Sequence, residues 1–133
     1  MKVFRADGVP SAQTNGTAET RLYYESPEQG FRIVVTTIPP GHTQNEHRHV
    51  YLLDIIYVLE GQVQVSERSD GILLEETLGE GDMVCFAPPV FHNVANKGTE
   101  PARTLTLKMI TDTGISPAEL EKLFKTDWIG NAG

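Results

Sequence analysis

The chain has four histidines, and three of them, His42, His47 and His49, fall within eight residues; the fourth is His92. One residue separates His47 from His49. On an extended strand such a pair projects to one face, with backbones ~6.5–7 Å apart. Both rings can then close on one cation with bonds of ~2.0–2.1 Å. A pair needs further ligands, and Asp54 and His92 are the best placed. A lone histidine in a β-protein is more often a surface or hydrogen-bonded core residue, so the case rests on the cluster. Cys85 is the only cysteine, which excludes an internal disulfide and a cysteine zinc site. No phosphate-cradling glycine loop and no serine nucleophile elbow is present.

Short apolar runs punctuated by glycine and proline must position these groups. The runs Leu22 to Glu25, Phe31 to Ile38, His47 to Tyr51, Ile55 to Leu59, Gln62 to Ser66, Ile72 to Leu78, Met83 to Phe86, His92 to Ala95 and Thr104 to Ile110 are rich in β-formers. Recurring about every ten residues with turn signals between them, they predict an all-β antiparallel sandwich or barrel. One short C-terminal helix is predicted over about 116–125, outside the β-structure. Ser116 is its N-cap, Pro117 stands at the first helical position and Glu119 at N3. The run Ile55 to Leu59 does not alternate, which predicts cover on both faces. The helix or a second subunit must supply it, and a homodimer is expected. Residues 6–20 are small and polar and are expected to be loosely ordered or to wrap a partner subunit.

The chain has 133 residues and a formal net charge of −7. That length suits one core and a single domain over 1–133. A phosphate backbone would be repelled, so no nucleic-acid partner is expected. No apolar run reaches the ~20 residues of a membrane helix, and the N-terminus lacks a secretory stretch. With one cysteine, a cytoplasmic location is expected. Asn15-Gly16-Thr17 matches the glycosylation sequon without such a signal. Cys85 is expected to be a buried apolar thiol.

The stretch from Gly41 through His47, His49 and Asp54 to Gly61 resembles the first signature of the cupin superfamily: Gly, five residues, His-x-His, three or four residues, Glu, six residues, Gly. Asp54 stands in the Glu position. Gly81, His92 and Asn96 match the second signature, with Ala87 where Pro is usual and Pro89 where Gly is usual. The resemblance covers about 30–112. It implies a double-stranded β-helix, a jelly-roll-like barrel with a metal inside. Carried over, the ligands are His47, His49, His92 and Asp54, holding one divalent first-row ion (Fe, Mn, Ni, Cu or Zn), among which this donor set does not select. Asp54 lies five positions after His49, so on one unbroken strand the two would face opposite ways. A turn or bulge within Val50 to Leu53 is therefore required.

The resemblance further implies an enzyme acting on a small oxygenated organic molecule, dioxygenase-like or isomerase/lyase-like, or else a non-catalytic module that binds or senses a sugar or effector. His42 and Gln44, in the loop before His47, could contact substrate at the barrel mouth. With Asp54 inward, Ile56 and Val58 should form an apolar pocket wall and Tyr57 should point away. Trp128 is expected to pack rather than take part in chemistry. No acid–base residue is assigned.

Overall fold

The alternating runs become strands that pair into two antiparallel sheets. The structure, a computed structural model, describes residues 1–14, 18–111 and 114–130; the Asn15-Gly16-Thr17 sequon lies outside them. The strands are β1 (Ser11–Thr14), β2 (Ala18–Ser26), β3 (Phe31–Ile38), β4 (His47–Arg48), β5 (Leu52–Glu60), β6 (Val63–Ser69), β7 (Ile72–Leu78), β8 (Met83–Phe86), β9 (Phe91–Ala95), β10 (Ala102–Ile110) and β11 (Ile129–Gly130). One helix, α1 (Pro117–Thr126), precedes β11. The first sheet runs β1-β2-β3-β10-β5-β8 and the second β11-β4-β9-β6-β7. This is the expected all-β double-stranded β-helix with a short C-terminal helix. Far from being loose, residues 11–14 pair with β2.

The inner face of the first sheet changes character along its strands. On β5, Leu52, Asp54, Ile56 and Val58 are buried, while Leu53, Ile55 and Leu59 are half-buried and Tyr57 is 40% exposed. The unbroken apolar run therefore is not covered on both faces by this chain. On β10 the polar residues point inward. Thr104 and Thr106 are buried, and Leu105, Leu107 and Met109 face out. Cross-strand register aligns Leu107 with Ile33 on one side and Ile55 on the other, and Tyr57 with Met83. The outer face is thus apolar and partly wet, and Cys85 is exposed on it, not buried as expected. The inner face is divided: Ile38, Ile56, Val58, Val63, Val65, Phe86, Val94 and Ala102 form the packed core, and polar groups gather beyond it.

Two closures tie the ends. Gly61 turns β5 into β6 at φ +77°, and a Cβ there would meet the Pro101 carbonyl oxygen at 2.9 Å, so only glycine fits. Asn96, almost wholly buried, donates to the carbonyls of Ile38 and Glu100 and accepts from Gly98 N–H. At the C-terminus, Ser116 caps α1 by accepting from Glu119 N–H. The helix buries Leu120 and Phe124. It meets Arg32, whose Nη2 donates to the Phe124 carbonyl at 2.8 Å. The chain leaving α1 then adds β11 to β4.

Candidate metal centre

The shortest strand carries the first ligand candidate. β4 holds only His47 and Arg48, and His47 stands opposite His92 on β9. His49 lies beyond the strand end, so the predicted strand over His47 to Tyr51 is too long. The rings of His47 and His49 still converge, with centroids 5.1 Å apart. The required break in the chain lies at Val50 and Tyr51, and its cause is Asp127. The Asp127 carboxylate accepts from the backbone N–H of Val50 (2.7 Å), Tyr51 (2.9 Å) and Leu52 (3.1 Å). With that bend held, β5 restarts with Asp54 facing in. His47, His49, Asp54 and His92 are all buried, and one ligand atom from each lies within 4.8 Å of the others.

The orientation of each ring follows from its outer nitrogen. Nδ1 of His47 lies 2.8 Å from the Asn45 carbonyl, Nδ1 of His92 lies 3.0 Å from that of Val90, and Nδ1 of His49 bonds the Asp127 carbonyl. A carbonyl only accepts, so each Nδ1 must donate. In a neutral ring the lone pair then resides on Nε2, turned inward. Nε2 of His92 and of His49 lie 3.0 and 3.1 Å from Asp54 Oδ2. Acceptor thus faces acceptor, an arrangement that needs a cation between or beside them. Phe86 stacks on His92 with centroids 4.4 Å apart, and Trp128 stacks on His47 at 5.4 Å. The three histidines, one carboxylate and their carbonyl supports therefore fit a divalent ion.

Burial lowers the His47 imidazole from its ordinary 6.5 to about 4, against the raising influence of the Asn45 carbonyl and with help from the neighbouring His92. Burial alone would raise Asp54, but the Lys108 ammonium and the adjoining His49 and His92 rings outweigh it and hold the carboxyl well below its usual range. Both groups are thus ready to ligate at neutral pH. The sign for stability follows. Unfolded His47 takes up a proton near 6.5, whereas folded His47 refuses it until about 4. The metal-free protein should lose stability as pH falls from 6.5 to 4. Asp54 adds a further loss below its ordinary 3.8. Urea unfolding across that range should show the slope, and His47→Gln should flatten it; a wild-type stability constant from pH 6.5 to 4 would contradict the assignment.

A cavity of about 360 Å³ is lined by three of the four residues, His47, Asp54 and His92. His42, Gln44 and Ile56 line it as expected. The Gln44 N–H donates to the Val94 carbonyl and the Asn96 N–H to that of His42, which fixes the loop against β9. Val58 does not line the cavity; it is fully buried in the packed core one inward position further along β5. Trp128, expected only to pack, lines the cavity as well as stacking on a ligand candidate. Arg32, Thr106 and Lys108 also face it, although none of them stands out in the sequence as a site residue. The signal was the alternation Thr104-Leu105-Thr106-Leu107-Lys108, which reads as polar-out but is polar-in here because the barrel interior holds a polar cavity.

These two packed sheets around an inward-facing histidine cluster define a double-stranded β-helix with a candidate metal centre. Residues 34–108 match the family described as Cupin domain, and the chain belongs to that family. Solved structures agree on the fold. A double-stranded β-helix protein from Klebsiella pneumoniae is 23% identical, with a TM-score of 0.66 over 86% of this chain and 94% of that one. A cupin 2 conserved barrel domain protein from Salinispora arenicola is 19% identical, with a TM-score of 0.68 over 94% and 97%. KdgF from Halomonas sp. is 17% identical, with a TM-score of 0.70 over 84% and 96%. By sequence, the chain is 29% identical over 108 residues to pyruvate decarboxylase isozyme 3 of Saccharomyces cerevisiae, covering 76% of this chain but 17% of the yeast protein. The chain thus spans about a sixth of that relative's length. No helix among the described residues is long and apolar enough to cross a membrane.

Proposed function

We propose that this cupin is a divalent-metal-dependent enzyme acting on a small oxygenated organic molecule, in the manner of a dioxygenase or of an isomerase/lyase. One observation supports this above the others: three inward Nε2 atoms and the Asp54 carboxylate meet beside a cavity, each Nδ1 being engaged by a backbone carbonyl. His47, His49, Asp54 and His92 would hold the ion. Bound there, Fe, Mn, Ni, Cu or Zn supplies Lewis acidity toward a carboxylate, enol or carbonyl oxygen. The chain's residues do the rest. Ile56, Val34 and Val94 exclude water from the wall, and His42, Gln44 and Thr106 offer polar contacts that orient a ligand.

The test is elemental analysis of untagged protein purified without chelator, with about one first-row metal per chain expected. Oxygen uptake and product formation are then followed on diketones, thiols and hydroxy acids. Turnover that needs the metal supports the proposal. Ligand-dependent thermal stabilisation with no turnover on any of them would make it a binding module instead. Metal-free protein that takes up none on titration would sink the reading.

Two contextual proposals accompany it. The apolar outer face around Ile55, Tyr57, Leu107 and Met83 suits a second copy of the chain, and a monomer mass by light scattering would count against a homodimer. An unpaired, exposed Cys85 suits a reducing, cytoplasmic setting.

A further inference from the structure

Four strands, β2, β3, β10 and β5, place a row of charges across the inner face of the first sheet. Register aligns Glu25 with Arg32, Arg32 with Lys108, and Lys108 with Asp54. Two cations therefore stand directly opposite each other, which is unfavourable in a sheet. Each is drawn away to its own acid. Arg32 meets Glu25 at 3.0 Å, and Lys108 Nζ meets Asp54 Oδ1 at 3.1 Å and His49 Nε2 at 3.2 Å. The Lys108 contact with Asp54 is an ion pair without hydrogen-bond alignment, since Oδ1 has no aligned donor. The ammonium thus reaches two of the four groups that would hold the metal. Two acids and two bases balance along this row; a divalent ion added at Asp54 leaves it with a surplus of two positive charges.

We propose that Lys108 is a resident cation of the metal centre. It pairs with Asp54 in the metal-free protein and gives it up when a divalent ion binds. It then stands with Arg32 on the cavity wall, where the pair receives the carboxylate of an acidic ligand. This rests on the metal-centre reading above. Two consequences follow. Lys108 competes with the metal, so removing its charge tightens metal binding. Metal and carboxylate favour each other, because each draws Lys108 or its charge into the state the other prefers, and the coupling is reciprocal.

Zinc binding to wild type, Lys108→Met and Lys108→Gln is measured by calorimetry in a non-chelating buffer, alone and with propionate or neutral propionamide. Both variants should bind zinc at least about tenfold more tightly than wild type, a difference of about 1.4 kcal/mol. Their metal-free forms should melt lower than wild type, and zinc should raise their Tm by more. Propionate, but not propionamide, should tighten zinc binding to wild type and do so less in the variants. Equal or weaker zinc affinity in both variants, with wild type still binding, overturns the exchange and leaves the metal centre standing. Identical effects of propionate and propionamide on wild type overturn the carboxylate role, a measurement that needs no variant to fold. A wild-type chain that binds no zinc removes both readings together.

Discussion

Alanine at position 92 is expected to weaken metal binding by more than about a hundredfold, beyond the usual 10–100-fold effect of losing an outer-shell partner. His92 is the group through which the two sheets meet at the site. It belongs to β9, stands opposite His47 in register, and places Nε2 3.0 Å from Asp54 Oδ2 on β5. Its removal leaves two imidazoles and one carboxylate, all supplied by residues 47–54. The ring also stacks on Phe86, so the alanine variant leaves a void costing on the order of 1–3 kcal/mol. His92→Gln keeps most of that volume and should lose the metal with less loss of stability. Calorimetry with zinc, paired with circular dichroism to confirm the fold, reads both effects. Near-stoichiometric metal in both variants would remove His92 from the centre.

A second large effect is expected far in sequence from the bend that sets Asp54 among the candidate ligands. Asp127→Ala should destabilise the metal-free protein by roughly 3–5 kcal/mol and also weaken metal binding. The carboxylate is buried and is the acceptor for three consecutive N–H groups at positions 50, 51 and 52. A charged acceptor of this kind is worth more than a neutral one. Without it the bend is free to straighten, and continuing the strand would turn Asp54 away from the histidines. The neighbouring Asp127 carbonyl, which orients His49, would shift with the segment. Asp127→Asn keeps the shape but turns an amide donor toward backbone donors, so it should fall between wild type and alanine. Urea midpoints and zinc affinities for the three chains would test this; an alanine variant as stable as wild type, binding metal equally well, would mean the bend holds itself.

Much of the frame was legible locally. Phe31–Ile38, Ile72–Leu78 and Met83–Phe86 run as strands between the residues at which their apolar runs begin and end, because glycine, proline or an aspartate turn ends each run. The helix over about 116–125 agrees to within a residue with Pro117–Thr126, since its capping chemistry is contained in four neighbouring residues. Local pattern and structure part where burial depends on partners distant in sequence. The run Ile55 to Leu59 suggested two covered faces, yet Tyr57 is exposed. Cys85 sat in an apolar run and turned outward, as register opposite Ile55 requires. The alternation on β10 hid a polar interior because a cavity, not a hydrophobic core, lies under that end of the sheet.

The sequence by itself determined the candidate donor set. His47, His49, Asp54 and His92 were identifiable from residue type, spacing and resemblance to two signatures, because a site must be built from side chains whose chemistry does not depend on the fold. Only the tertiary structure decided which groups surround them. Asp127 reaches the bend at positions 50–52 from 75 to 77 residues away, Trp128 stacks on His47, and Lys108 and Arg32 stand opposite each other on adjacent strands. Contacts of this kind arise from sheet register and from the path of the C-terminal segment, and no local pattern encodes either. The physical reason is that ligation depends on the identity of a few atoms, whereas their electrostatic setting depends on where every neighbouring strand comes to rest.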